Sequence, residues 1–337
     1  MSRATTSGAT PRVTVVTSAY NAEAIIEPTV RSVLRQTFRD FEYVIVNDGS
    51  HDRTAEIIRR LMAADPRIRL IDQDNRGLAA ARNRVIRESQ GSYVALLDHD
   101  DLWHPEKLAL QVSLLDAHPD VAVASCYSAV IDADGTLLGW RLGGDANGDV
   151  YQEMLEWDMV SGGSVVLVRR EALVAVGACD ESLPMRTDWD LWIRLARRYR
   201  FGTVPRILVG YRRSPSSVSR RHQRFADAGT RVLQNVLRDD PQFQARYRYC
   251  LARDAFAVAC MCTIDENPRL AWRYLARSLA LTPAPVLAAP RRWAMIAVLA
   301  LQTVLPRHTF QRVFGALSRA WFGLAPGRPF DDQPAAG

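Results

Sequence analysis

The chain contains a single lysine, Lys107, among 43 basic side chains, so its positive charge is almost wholly guanidinium. Its five cysteines, at 126, 179, 250, 260 and 262, form no paired framework. Cys260 and Cys262 have no partner pair of Cys or His nearby, so a disulfide scaffold and a zinc site are both excluded; reduced thiols in a cytosolic protein are expected. No apolar run reaches the length of a bilayer span: the longest, Trp293 to Leu305, has 13 residues and includes Gln302 and Thr303. Residues 1–10, MSRATTSGAT, have no apolar segment and are expected to be a disordered lead-in, with no signal peptide. No G-x-G-x-x-G follows the first apolar strand and no Walker lysine loop occurs, which removes the usual support for dinucleotide binding and P-loop phosphoryl transfer.

What is present is ordinary globular material: 337 residues, 48% hydrophobic and 24% charged, enough for one large or two modest domains. The charge is unevenly placed. Residues 1–185 carry 18 basic and 27 acidic side chains, a balance of −9, whereas residues 186–322 carry 24 and 8, a balance of +16. Such a basic half can attract anionic lipid, nucleic acid or a phosphorylated substrate, or be a solvated Arg-rich surface.

Strands and helices alternate from the start. Arg12–Ser18, Phe41–Asn47, Ile68–Asp72 and Tyr93–Leu97 read as strands; Ala24–Gln36, a helix capped by Asp52, and Gly77–Glu88 read as helices between them. Four strands alternating with three helices in about 90 residues argue a parallel, doubly wound α/β sheet. A helix over Pro105–Ala117, a strand over Val121–Tyr127 and a hairpin-like turn at Asp134-Gly135 follow. Then come a helix at Tyr151–Trp157, a strand at Ser164–Val168, a helix at Glu171–Val176, an amphipathic helix at Asp188–Tyr199 and a last strand at Ile207–Tyr211. From Phe225 to Phe322 the pattern is helices separated by Pro-containing turns, a separate α-helical appendage.

Chemistry concentrates where predicted strands end. In YVALLDHDD, Tyr93 to Asp101, a buried strand runs into Asp98, Asp100 and Asp101, which repel one another unless a cation shares them. The spacing is also compatible with Asp100 and Asp101 capping the helix that Pro105 opens, with Asp98 solvated. Three more loops fall on the same sheet edge: Thr17-Ser18-Ala19-Tyr20-Asn21, Asn47-Asp48-Gly49-Ser50, and Asp74-Asn75-Arg76-Gly77 with Arg82 and Asn83 one turn on. Each alone is ordinary turn chemistry, but together they outline a nucleotide pocket.

The ordered segments VTVVTSAYNAE, VLRQTFRDFEYVIVNDGSHDRT, NRGLAAARNRVIRESQGSYVALLDHDDLWHPEKL and RTDWDLWIRLA resemble a family 2 glycosyltransferase of the GT-A fold over roughly residues 11–215. The resemblance implies a Rossmann-like, mostly parallel sheet flanked by helices, residues 11–220, followed by a helical region, 221–322, and a flexible tail, 323–337. It implies that Asp98 and Asp100 are a D-x-D pair meeting the donor's ribose and a Mn²⁺ or Mg²⁺ ion on its diphosphate. It puts Thr17, Ser18, Ala19, Tyr20 and Asn21 against the nucleoside and Asp48 on the base; Glu23, Asn75, Gly77, Arg82 and His99, on or beside these loops, are further candidates for the donor site. His99 and His104 otherwise read as structural residues flanking the acidic loop. Asp188 falls at the family's catalytic base; Thr187 stands where a Glu is usual, which leaves Asp190 as the rival.

Inverting transfer from a nucleoside-diphosphate sugar needs a base for the acceptor hydroxyl and a cation for the departing diphosphate. Trp189, Trp192 and Met185 could give Asp188 the partly apolar setting that makes a carboxylate basic, and Asp188 could equally cap its helix. The segment Tyr211 to Ser219 resembles one that closes over the donor, with Ser214 in place of a His; Arg212 and Arg213 could contact diphosphate or form a solvated basic turn. The expectation is therefore a glycosyltransferase at the cytosolic face, taking a nucleoside-diphosphate sugar, UDP-linked in the first instance, and a glycan or lipid-linked acceptor in cell-envelope polysaccharide synthesis. No nucleic acid is expected as a partner. The Arg-rich helices are expected to meet an anionic membrane peripherally, the rival being packing on one another or in a homodimer. A nucleotide-sugar-binding scaffold that has lost transfer is the alternative that Thr187 and Ser214 would support, and a nucleotidyltransferase would expect a Gly-rich basic loop where TSAYNAE stands.

Overall fold

The structure is a computed structural model that describes residues 10–213, 221–287, 290–306 and 309–310. Most of the expected lead-in, Ser214 to Ser219 of the donor-closing segment, the end of the helical region and the 323–337 tail lie outside the described residues.

The β-branched runs form β1 (Val13–Ala19), β2 (Phe41–Asp48), β3 (Ile68–Gln73) and β4 (Tyr93–Asp98), joined by α1 (Ile26–Leu34), α2 (Thr54–Ala64) and α3 (Leu78–Glu88). They pair in parallel in the order β3-β2-β1-β4. The register sets Ala19 beside Asn47 and Ser18 beside Asp98, so three of the loops that carry polar residues share one edge. All seven residues of β1 are buried, as helix cover on both faces of a parallel sheet requires.

The chain then adds β5 (Leu102–Trp103), α4 (Lys107–Ala117), β6 (Val121–Ile131), β7 (Leu137–Leu142), α5 (Tyr151–Glu156), β8 (Leu167–Arg169), α6 (Arg170–Ala175), α7 (Thr187–Ala196) and β9 (Arg200–Arg212). The full order is β3-β2-β1-β4-β8-β6-β9-β5, with β7 on β6. Strand β8 enters antiparallel between β4 and β6, and β9 runs parallel to β6. Six of the nine strands, β1–β4, β6 and β9, therefore point one way, which agrees with the mostly parallel α/β sheet expected. Strand β9 is far longer than the expected Ile207–Tyr211 because its register on β6 jumps from Cys126↔Val204 to Tyr127↔Ile207: Pro205 and Arg206 bulge out, and the apolar pattern resumes beyond them.

A core of mostly Val, Ile, Leu and Ala from both sheet halves is closed by the fully buried Trp103, Trp189 and Trp192. Full burial of one such aliphatic side chain is worth about 1.5–3 kcal/mol. The last strand leads to α8 (His222–Asp239), α9 (Gln244–Ile264), α10 (Pro268–Leu281), α11 (Ala284–Leu287) and α12 (Pro290–Val304). Val232, Leu233 and Val236 of α8 and Cys250 of α9 join the main core, whereas Phe256, Cys262, Tyr274, Leu275 and Leu299 form a second cluster. The helical region thus begins as an extension of the sheet core and ends as a small bundle of its own.

Candidate active site

The acidic loop leaves β4 and crosses to β5 at the far end of the strand order, so it is anchored from two sides. The Asp98 amide donates to Ser164 Oγ at 3.0 Å, and the Ser164 hydroxyl in turn bonds the Asp101 carboxyl. Asp101 is 1% exposed and accepts the Arg212 amide at 2.9 Å, so it caps no helix; its partner is the end of β9. Burial, then repulsion from Asp100 and Asp98, pushes the Asp101 carboxyl well above the ordinary range. Burial and Asp98 push Asp100 up too, against the opposing charges of His99 and Arg212.

Asp98 is partly open and carries the cation that organises the site. Its Oδ1 accepts Arg82 Nη2, and the Arg82 side chain is 4% exposed although it stands on the amphipathic helix α3. Gly163 packs close to that guanidinium, where a Cβ would come within 2.8 Å of Arg82 Nη2. Arg82 also feels the charge of Asp188 and lies near the buried Cys179, so it stands between the end of β4 and the start of α7.

Asp188 is the second residue of α7, inside the helix and not its cap, and its Oδ1 accepts the Trp189 amide at 2.9 Å. Trp189 and Trp192 are buried beneath it, Trp189 donating its indole N–H to Met154 O. Asp190 faces elsewhere: it is 4% exposed and clamped by Arg194, which also reaches the Val176 and Ala178 carbonyls. A carboxylate that the sequence reading missed stands with Asp188. Asp158, half-buried, accepts the amides of Val160 and Ser161 at 3.1 and 2.9 Å, and burial with the nearby Asp188 charge lifts it to about 7. Its only sequence signal is an Asp heading a Gly-rich turn, Asp158-Met-Val-Ser-Gly-Gly163.

At the end of β1, Thr17 is buried against Tyr43 OH at 3.0 Å, Ser18 O meets His99 Nδ1 at 3.2 Å, Ala19 is buried, and Tyr20 is 42% exposed, edge-on to His51. Asn21, at φ +47°, and Glu23 turn toward the β2–α2 loop: Asn21 Oδ1 accepts His51 N, and Glu23 accepts Arg53 N. Asp48, 2% exposed, accepts Gln73 Nε2 at 2.7 Å and the Arg76 and Gly77 amides at 2.9 Å each. It clamps the loop on which Asn75 and Gly77 are exposed. Arg212, 4% exposed, donates from its guanidinium to the carbonyls of Asp100, Asp132 and Ala133, where it braces the acidic loop. Arg213 pairs with Asp265 beyond α9.

The oxygen-only set of Asp98 and Asp100 suits a hard divalent cation, and the crowding that lifts Asp100 and Asp101 is what such an ion would relieve. Among the described residues no cluster of three or more Asp, Glu, His or Cys could cage a metal, so further ligands would come from a diphosphate and water.

Residues 14–175 match the model of the family described as Glycosyl transferase family 2. The chain is 40% identical over 129 residues to a putative teichuronic acid biosynthesis glycosyltransferase, TuaG, of Bacillus subtilis, covering 38% of this chain and 51% of that one. It is 31% identical over 189 residues to a chondroitin synthase of Escherichia coli, covering 55% of this chain and 26% of that protein. The chain thus spans between about a quarter and about half of the length of these relatives. Among solved structures it is similar to the mannosyltransferase PcManGT from Pyrobaculum calidifontis in complex with GDP-Man and Mn²⁺, with a TM-score of 0.59 at 23% identity, covering 93% of this chain and 88% of that one. The S. aureus TarS 1-349 complex with UDP-GlcNAc has a TM-score of 0.59 at 15% identity, covering 97% and 99%. These two likenesses show the fold, and they extend past residue 175 to the segments that hold Asp188 and Arg212.

Proposed function

The chain belongs to glycosyl transferase family 2, and from that premise we propose that it transfers a sugar, with inversion, from a nucleoside-diphosphate sugar to a hydroxyl of a glycan or lipid-linked acceptor in envelope polysaccharide synthesis. The observation that carries the reading is the buried Arg82, held against Asp98 and within reach of the Asp188 charge. One fixed cation joins the carboxylate on the donor side to the carboxylate on the acceptor side.

In this mechanism the acceptor hydroxyl donates to Asp188; as its oxygen bonds the anomeric carbon, its proton passes to the carboxylate and the carbon–diphosphate bond breaks with its electron pair on the leaving oxygen. Attack opposite the leaving group inverts the centre. Asp190 is the weaker candidate because it is buried and clamped by Arg194, out of reach of an acceptor hydroxyl. A Mn²⁺ or Mg²⁺ ion held by Asp98 and Asp100 would stabilise charge on the departing diphosphate. Tyr20, Ser18 and the exposed Asn75 line the edge offered to the nucleoside. The teichuronic acid and chondroitin relatives support a polysaccharide product, and the GDP-Man and UDP-GlcNAc complexes of the structural neighbours support UDP- and GDP-sugars as first donors.

The test is a panel of UDP- and GDP-sugars with Mn²⁺ or Mg²⁺, scored for donor binding and slow hydrolysis, beside Asp100→Asn and Asp188→Asn. The reading expects one donor to bind with metal, the Asp100 change to weaken that binding, and the Asp188 change to spare binding but stop turnover. A panel in which no donor binds refutes it, and binding with no turnover on any acceptor favours a nucleotide-sugar-binding scaffold.

A further inference from the structure

Helices α10, α11 and α12 bury one side in the second cluster and show solvent the other, and the exposed side is unusual in both composition and charge. Of the twelve large hydrophobic residues exposed among the described residues, six fall here: Trp272, Leu279, Leu287, Trp293, Leu301 and Val304, the last 78% exposed. In α12, Trp293, Ala297, Leu301 and Val304 recur at helical spacing and form one exposed stripe along its whole length. The α10 stripe meets it, because Trp272 Nε1 donates to Thr303 Oγ1 at 2.9 Å. Beside it Arg269, Arg273 and Arg277 are exposed at four-residue intervals along α10. The sequence has no Asp or Glu from Asn267 to Phe330 but nine Arg, so no acidic side chain of that stretch neutralises this face.

An apolar stripe alone would not name its occupant; the Arg row and the acid-free stretch do. Apolar side chains at the level of lipid headgroups, tryptophans at the polar boundary and guanidiniums beside them match the chemistry of an anionic bilayer surface. No helix among the described residues is long and apolar enough to cross a membrane, so α12, with its 15 residues, would lie in the interface plane. The bundle is also tied to the site. Asp265, between α9 and α10, pairs with Arg213 and with His222, and Arg213 follows the Arg212 that braces the acidic loop.

We propose that the exposed face of α10–α12, centred on Trp272, Trp293, Leu301 and the Arg269/Arg273/Arg277 row, docks peripherally on an anionic phospholipid surface. The inference does not depend on sugar transfer, and its test uses no donor or acceptor. The full chain is mixed with phosphatidylcholine vesicles and with vesicles containing 30% phosphatidylglycerol, in low and high salt, and binding is read by co-sedimentation and by quenching with brominated lipid. At least tenfold tighter binding to the anionic vesicles is expected, weakened by salt. A triple change of Arg269, Arg273 and Arg277 to Gln should lower that binding about tenfold. Changing Trp272 and Trp293 to Phe should remove the bromolipid quenching while the chain still sediments with vesicles, and Leu301→Ser should weaken binding. These residues are exposed, so circular dichroism should show every variant folded. Equal binding to both vesicle types, no binding, or quenching that persists without the two tryptophans overturns the proposal. So does a homodimer in solution that Leu301→Ser dissociates, because the face would then be covered by a second copy.

Discussion

Removal of the Asp254 carboxylate tests whether the helical region holds α7, which carries the proposed base Asp188, in place. Helix α7 starts at Thr187 because Arg186 turns the chain at φ +58°, a left-handed conformation that costs an L residue roughly 1–2 kcal/mol. What holds it there is tertiary. The Arg186 guanidinium pairs with Asp254 of α9, each side chain 7% exposed, and lies 4.0 Å from the Trp189 ring and 4.5 Å from the Phe225 ring. Gly229 of α8 gives it room, since a Cβ there would overlap Arg186 Nη1 and come within 2.6 Å of Asp254 Oδ2. Asp254→Ala leaves a buried guanidinium without its counter-charge, which costs roughly 3–5 kcal/mol, while the stacking on the two rings, worth roughly 0.5–2 kcal/mol, remains. The double change Arg186→Met with Asp254→Leu removes both charges and should recover most of that loss. The assay is urea unfolding of the wild type, Asp254→Ala and the double variant, with donor binding and transfer measured on each. Asp188 lies two residues past Arg186, so transfer should fall at least tenfold in Asp254→Ala with donor affinity unchanged. A loss below about 1 kcal/mol with wild-type transfer would refute the reasoning, because a pair that buried cannot be both the joint and dispensable.

Arg82→Lys should cut transfer about 10²-fold, the scale of losing one preorganised electrostatic contact, because an ammonium cannot pack beside Gly163 as the guanidinium does while it pairs with Asp98; steady-state rates with saturating donor test this. Gly163→Ala should act in the same direction by displacing Arg82. Asp158, lifted to about 7 by burial, holds a proton in the folded chain that the unfolded chain has released above about pH 4; stability therefore falls as pH rises from about 4 to about 7 and levels off above, and Asp158→Asn should flatten that part of the urea-midpoint profile. Lys107, the one side-chain amine, is fully buried against Trp103 and Gln111 and lowered to about 8 by that burial, so an amine-reactive probe should leave it unmodified in native protein and label it once urea unfolds the chain, as peptide mass mapping would show.

Much of the fold was legible because its signals are local. The alternation of β-branched runs with helical spacing located β1 to β4 and α1 to α3 within a few residues, and the Asp134-Gly135 turn does connect β6 to β7, with Asp132 Oδ1 accepting the Asp134 and Thr136 amides at 2.9 Å. Antiparallel insertion of β8 was not legible, since three residues of apolar strand carry no directional signal. Partners were the larger loss. Arg212 reads as a basic turn residue until Asp101, 111 positions earlier, is beside it, and Arg186 until Asp254 is, 68 positions later. Asp158 has the same difficulty: only the arrival of α7 beside its turn makes it one of a pair of carboxylates.

The polar residues on the sheet edge divide by what they have left to give. Asp48 offers two carboxylate oxygens to three donors, Gln73 Nε2 and the amides of Arg76 and Gly77; an Asn would offer one oxygen and set an N–H against a backbone N–H, so the clamp itself dictates Asp. Asn21 and Glu23 are spent on the β2–α2 loop, and Arg212 on three carbonyls of the acidic and hairpin loops. These groups buy rigidity: they fix four loops that come from separate strands, which a site needs if its contacts are to be made without reordering when a ligand arrives. The groups that the clamps leave open are Tyr20, Asn75, Asp98 and Asp100 on one side and Asp188 with Asp158 on the other, and the proposed transfer would draw its recognition from these. Arg82 is the exception that links the two sets. It is as buried as the clamps, yet it contacts a carboxylate that remains 30% exposed, so the charge that organises the interior is also felt at the open edge.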